Sequence, residues 1–103
     1  MYQLSFYVPV AQVDAVKQAV FDAGAGRIGN YDSCCWQVEG QGQFRPLPGS
    51  DPAVGGVGQL ERVDECKVEM VCADEFIKAA VAALKTAHPY EEPAYQVWKL
   101  ETF

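Results

Sequence analysis

The alternation of apolar and polar residues divides the chain into strand and helix segments. In Tyr2–Val8 every second side chain is apolar, which is the pattern of a strand with one buried face. Apolar residues then recur at helical spacing and predict an amphipathic helix over residues 11–23. Gly24 and Gly26 end this helix in the prediction, because glycine adopts the left-handed conformation needed just past a helix end.

The remaining pattern repeats this order with one additional strand. Alternation predicts strands over residues 32–40 and 60–72. Apolar residues at helical spacing predict a helix over residues 75–87, with Asp74 as its N-terminal cap. A last strand is predicted from Ala94 to Leu100.

A glycine- and proline-rich stretch, Gly40–Gly58, separates the two middle strands. We predict a long loop there, with an extended piece at Gln43–Arg45. Loops of this length in compact domains are usually functional, so the stretch becomes a candidate part of a binding site.

The order β-α-β-β-α-β predicts an α+β fold, the ferredoxin-like sandwich, within one domain over residues 1–103. Right-handed crossovers place both helices on one face of a four-stranded antiparallel sheet and leave the other face uncovered. The last strand is apolar on both sides, so aromatic side chains are expected on the uncovered face, where they favour self-association. The first and third strands are predicted to place there Gln3, Ser5, Tyr7, Glu65, Lys67, Glu69 and Val71.

Composition and charge exclude several classes of function. The formal net charge is -6 and the basic residues are scattered, which argues against a nucleic-acid partner. No apolar run is long enough to cross a membrane, and the N-terminal residues do not resemble a signal peptide, so a cytoplasmic location is expected. The four cysteines form no CxxC motif, and in a cytosolic chain we expect reduced, mostly buried thiols.

The segment AHPYEEPAYQ, Ala87–Gln96, contains the only histidine of the chain, His88, beside two carboxylates. One interpretation is a rigid corner, in which two prolines direct the second helix into the last strand. A second is a ligand-facing surface that includes Tyr90 and Glu91. A third is a divalent-metal site, whose candidate ligands are His88, Glu91, Glu92 and Cys34.

The segment from Gly24 to Gly29 matches GxGxxG, but it follows a predicted helix and precedes a strand. A dinucleotide-binding motif has the opposite context, and that interpretation is rejected. Exposed N–H groups near Asn30 and Tyr31 leave an anion-binding turn as an alternative to a simple helix stop.

Four segments of the chain together carry a family resemblance: Gly24–Tyr31, Gly42–Pro46, Gly58 with Glu61–Glu65, and His88–Tyr95. With them the chain resembles the small domain inserted in YqfO-like members of the Nif-three-like proteins, and short proteins that consist of this domain alone. The resemblance implies a fold like that of the PII and CutA proteins, which associate as trimers.

The resemblance also bears on chemistry. The dinuclear-metal site of the larger relatives is carried by their flanking halves, which are absent here, so hydrolase activity is not expected to carry over. Ser33 stands where relatives often have histidine, and Gln96 where they often have aspartate. Both differences remove potential metal ligands and weaken the expectation of a metal role.

We therefore expect a small, homo-oligomeric binding or regulatory domain, a trimer by resemblance or else a dimer, with a small-molecule or protein ligand. Its site is predicted as a groove between the long loop and the rim formed by Asn30, Tyr31, His88, Tyr90 and Glu91. Two alternatives stay open: a divalent-metal binder or metal-dependent enzyme that uses His88, and a module that docks on a larger protein.

Overall fold

A computed structural model describes all 103 residues, and its elements follow the predicted order. In chain order the elements are β1 (Tyr2–Pro9), a 3₁₀ turn (Val10–Gln12), α1 (Val13–Asp22), β2 (Trp36–Phe44), β3 (Glu61–Cys72), α2 (Ile77–Ala87) and β4 (Tyr95–Lys99). Neither helix reaches the length and apolarity of a membrane-spanning helix.

The four strands form one antiparallel sheet in the order β2-β3-β1-β4. One face of β1, represented by Leu4 and Phe6, packs with Val16 of α1 and Leu84 of α2 in a single buried cluster of 13 residues. Since both helices contribute to the same cluster, they cover the same face of the sheet. The predicted α+β ferredoxin-like sandwich is confirmed.

The opposite face of the sheet carries large exposed side chains, as the alternation predicted. Trp36 and Val38 of β2 are 61% and 45% exposed, and Trp98 of β4 is 49% exposed. Trp36 pairs with Glu69 and Trp98 with Gln3 in the strand register, which places both indoles on the uncovered face.

Ser5 departs from its predicted exposure on this uncovered face. Its side chain is fully buried, and its hydroxyl has no hydrogen-bond partner. In register it stands between Glu69 and Gln96. Because both neighbours have much longer side chains than serine, Ser5 lies below the surface that they form.

The predicted bounds of the second strand were wrong at both ends. Residues 32–35 are not strand, because Ser33 has a φ of 54° and the Cys34 N–H donates to the carbonyl of Gly26 in the turn after α1. At its other end β2 continues through two glycines to Phe44. Gly42 leaves room there for the Glu65 side chain, whose carboxylate would have to move if this position carried a Cβ.

The predicted start of the second helix also needs correction. Helix α2 begins at Ile77, and Asp74 makes no capping hydrogen bond. The Asp74 carboxylate instead accepts from Lys99 Nζ at 2.7 Å and from the amino group of Met1. These two partners lower the pKa of Asp74, and they hold its carboxylate away from the first turn of the helix.

The four cysteines are unbonded and divide into two groups. Cys66 and Cys72 are both about 1% exposed on the core face of β3, and burial raises the pKa of both thiols. Cys34 is half-buried and Cys35 is exposed, so the expectation of buried thiols holds for two of the four.

This division predicts the outcome of thiol labelling. In the native protein, dithionitrobenzoate is expected to react rapidly with two thiols, Cys34 and Cys35, because the thiolate is the reactive form and burial suppresses it at the other two. Cys66 and Cys72 should react only after denaturation. Rapid release of four equivalents without denaturant would contradict the placement of β3.

Candidate functional site

The loops lie at two opposite ends of the sheet. The turn after α1 lies beside the start of β1, because the Gly26 N–H donates to Val71, which pairs with Gln3. Residues 45–60, which we call the β2–β3 loop, and residues 88–94, which we call the corner, lie at the opposite end, beside Pro9. The two ends are the length of an eight-residue strand apart, about 26 Å.

This separation divides the predicted site residues into two groups. Asn30, Tyr31 and Cys34 belong to the end where β1 starts. His88, Tyr90, Glu91 and Glu92 belong to the corner at the other end. The prediction of one groove lined by both groups was wrong, because the first helix brings the chain back along the whole sheet before Asn30.

Asn30 and Tyr31 form a tight turn. Ile28 and Tyr31 exchange two backbone hydrogen bonds, of 2.9 and 3.0 Å. Gly29, with a φ of 56°, occupies the first position between them, which is the requirement of a type II′ turn. The Tyr31 N–H is engaged in this turn and is therefore not available to an anion.

His88 fixes the corner to the sheet. Its side chain is 6% exposed, and its Nε2 lies 2.6 Å from the carbonyl oxygen of Tyr7. Its Nδ1 accepts a hydrogen bond of 3.1 Å from the Tyr90 N–H. A neutral ring protonated at Nε2 satisfies both contacts. Both ring nitrogens are therefore hydrogen-bonded to the backbone. This arrangement agrees with the interpretation of the segment as a rigid corner.

The four predicted metal ligands do not form one site. His88 has no free ring nitrogen, and Cys34 lies at the opposite end of the sheet. Glu91 instead accepts a hydrogen bond of 2.8 Å from the Asp51 N–H and so connects the corner to the β2–β3 loop. No group of three or more His, Cys, Asp or Glu side chains converges anywhere in the structure.

A cavity of about 400 Å³ lies between the β2–β3 loop and the corner, and we call it the loop cavity. Its floor is the end of the uncovered sheet face, and its aromatic rings include Phe44 and Tyr90, whose centroids are 5.8 Å apart. The loop contributes apolar side chains to the other wall. Residues that define the cavity are Tyr7, Phe44, Leu47, Val54, Glu65, Tyr90 and Glu91.

Tyr90 and Glu65 are two neighbouring polar residues of the loop cavity. The Tyr90 hydroxyl is buried and lies beside the Glu65 carboxylate. Burial raises the pKa of Tyr90 to about 12, and the negative charge of Glu65 adds to the effect. Glu65 is half-buried, and no basic side chain lies within 4.0 Å of its carboxylate.

Sequence reasoning found only part of this cavity. Tyr90, Glu91 and Glu92 were among the candidate residues, and all three line it. Phe44 and Glu65 were missed as site residues, because they were assigned to a loop fragment and to a strand face. The length of the β2–β3 loop was the one signal that pointed to this end of the molecule.

A smaller cavity of about 320 Å³ lies near the other end of the sheet. It is bordered by Cys34, Cys35, Trp36 and Met70. Asn30 and Tyr31 do not line it. It is a second candidate location for a ligand of this chain.

The architecture is that of the CutA proteins. CutA from Xylella fastidiosa superposes with a TM-score of 0.69 over 99% of this chain and 85% of its own, at 16% sequence identity. At that identity the likeness concerns the fold alone, and it confirms the CutA-like and PII-like fold implied by the sequence resemblance.

The sequence relatives are longer proteins. No family model matches the chain. It is 50% identical over 94 residues to the Mycobacterium leprae protein named GTP cyclohydrolase 1 type 2 homolog, spanning 91% of this chain and 24% of that protein. The crystal structure of a Bacillus cereus protein related to NIF3 superposes with a TM-score of 0.83 at 40% identity, over 98% of this chain and 26% of that one.

These matches confirm the resemblance to Nif-three-like proteins. The chain spans about a quarter of the length of the relatives that it matches. The names of those proteins describe chains about four times as long, and their whole-protein activities are not assigned to this segment.

The environment of Tyr90 predicts a loss of stability at alkaline pH. The folded-state pKa is raised from the ordinary 10.0 to about 12, so the neutral phenol is favoured by folding. This stabilisation is complete below pH 10 and is lost as the pH rises toward 12. The free energy of unfolding decreases over this range by at most about 3 kcal/mol. Denaturant unfolding at pH 9 and 11.5 should show a larger decrease for the wild type than for Tyr90→Phe. Equal decreases for the wild type and Tyr90→Phe would mean that the Tyr90 phenol is exposed to water in the folded protein.

Proposed function

We propose that this chain is a small-ligand-binding domain whose site is the loop cavity. The observation that carries the proposal is a cavity of about 400 Å³ whose aromatic and apolar wall includes one half-buried carboxylate, that of Glu65. Tyr90 contributes its ring to this wall, since its hydroxyl is buried beside Glu65.

The composition of the cavity supports the proposal. Ligand sites are commonly 300–1,000 Å³ and combine apolar walls with a few polar groups, and the loop cavity has both properties. Its two walls are connected by the hydrogen bond from Asp51 to Glu91.

A fragment screen followed by ¹H–¹⁵N correlation spectra tests this site. Compounds that bind are expected to shift the amide signals of residues 43–54 and 90–94. Val54→Arg, which places a long side chain at the cavity wall, should abolish these shifts. Val57→Arg is the matched control, because Val57 belongs to the same loop, is 54% exposed and does not line the cavity. Hits confined to the amides around Cys34 and Trp36 would contradict the proposal.

We further propose that the domain functions as a homo-oligomer through the uncovered sheet face. Its support is the group of exposed large apolar side chains there, Trp36, Val38 and Trp98. Aromatic side chains are enriched in subunit contacts and carry much of their binding free energy. The resemblance to trimeric proteins favours a trimer over a dimer.

Trp36→Ser is expected to weaken this association at least about 30-fold, because buried interface tryptophans contribute about 2 kcal/mol or more. Sedimentation velocity over a concentration series gives the mass of each species. Leu60→Ser is the control, since Leu60 is 50% exposed and lies at the opposite end of the sheet from Trp36. A wild-type monomer at 0.5 mM would contradict the oligomer.

A further inference from the structure

The loop cavity has an excess of negative charge. Three carboxylates line it, those of Glu65, Glu91 and Glu92, against one guanidinium, that of Arg45. None of the three carboxylates has a basic side chain within 4.0 Å. Arg45 offsets one of the three charges, and two remain uncompensated.

Glu65 is the carboxylate that the fold holds in place. It lies on the uncovered face of β3, where its register partners are Pro9 and Gly40. Its carboxylate lies over Gly42, at a position where any Cβ would collide with it. The absence of side chains at both glycines leaves room for this half-buried carboxylate at the cavity floor, next to the Tyr90 ring.

Aromatic rings complete the surroundings of this charge. Phe44 and Tyr90 lie with ring centroids 5.8 Å apart and planes inclined by 57°, and Tyr7 borders the same space. The faces of aromatic rings carry negative charge density and attract cations within about 6 Å. A carboxylate beside aromatic rings is therefore an arrangement that selects for positive charge.

We propose that the loop cavity binds an organic cation, a protonated amine carried on an apolar body. The ammonium group donates to the Glu65 carboxylate, and the apolar body contacts Phe44, Leu47 and Val54. An anionic ligand would instead have to approach the three carboxylates. This inference depends on the proposed function, because it names the chemical class of ligand for the same cavity.

Three compounds with the same phenylethyl body and different charge test the inference. They are 2-phenylethylamine, the neutral 2-phenylethanol and the anionic 3-phenylpropanoate, each titrated at pH 7 with ¹H–¹⁵N spectra to locate binding. The amine is expected to bind about tenfold or more tightly than the alcohol, because a hydrogen bond to a charged group contributes about 1.5–3 kcal/mol. The carboxylate should bind least.

Two variants assign the selectivity to Glu65. Glu65→Gln keeps the shape and is expected to weaken amine binding about tenfold while changing alcohol binding less than twofold, which also reports an intact cavity. Glu39→Gln removes an exposed carboxylate from the opposite face of β2 and should change neither.

The outcomes separate the two proposals. If the alcohol or the carboxylate binds in the cavity as tightly as the amine, or if Glu65→Gln leaves amine affinity unchanged, the cation proposal is wrong and the cavity remains a ligand site. The cation proposal is also wrong if the fragments that bind in the cavity are neutral or anionic. If no compound of either set shifts the cavity amides, both proposals fail.

Discussion

Replacing His88 with alanine is expected to lower the free energy of unfolding by about 3 kcal/mol. The substitution removes both hydrogen bonds that hold the corner, and it leaves the Tyr7 carbonyl and the Tyr90 N–H without partners in a buried place. Each buried group left unpaired costs about 1–3 kcal/mol. Chemical denaturation at pH 7 measures the loss directly.

His88→Phe separates hydrogen bonding from packing, because phenylalanine fills the space but accepts and donates nothing. We expect it to retain most of the destabilisation and to alter the amide signals of residues 88–94. Tyr90 follows His88 by two residues, so ligand binding in the loop cavity should weaken in both variants. A loss below 0.5 kcal/mol for His88→Ala would mean that the corner is not held by this ring.

Replacing Phe6 with alanine is expected to cost about 3–5 kcal/mol. Phe6 is fully buried at the centre of the sheet, and its side chain belongs to the cluster shared by both helices. The loss combines the transfer free energy of the ring with the cavity that it leaves. A domain of this size has a total stability of about 5–15 kcal/mol, so the variant retains little of it.

Phe103→Ala is the matched control for this substitution. Phe103 is fully exposed at the C-terminal end of the described chain, so removing its ring should change the free energy of unfolding by no more than about 0.5 kcal/mol. Equal losses for the two variants would contradict the core described above, and a small loss for Phe6→Ala would contradict the placement of both helices on one face.

The fold could be predicted from the sequence because it depends on local periodicity. The alternation in β1 and β3 identifies the buried face residue by residue, and Leu4, Phe6, Cys66 and Val68 are all buried as that pattern requires. The bounds of β2 could not be predicted in the same way. Its C-terminal half contains two glycines that pair with β3, and the Glu65 side chain lies over one of them, Gly42, a contact that cannot be read from the local sequence.

The candidate site could be predicted only in part for a related reason. Tyr90 and Glu91 are close to His88 in sequence and were recognised as one group. Their association with Phe44 and Glu65 depends on which end of the sheet each loop occupies. The strand order determines this, and grouping His88 with Asn30 and Tyr31 failed because they belong to opposite ends of β1. The position of each residue in the sheet topology, rather than its residue type, determines which candidate site residues lie close together.

A crystal structure of the complex with the tightest-binding compound from the fragment screen tests the central claim most directly. We expect density for the compound in the loop cavity, in contact with the rings of Phe44 and Tyr90 and with the side chains of the β2–β3 loop. Density in the cavity beside Cys34 and Trp36 instead, with the loop cavity filled only by solvent, would contradict the assignment of the binding site.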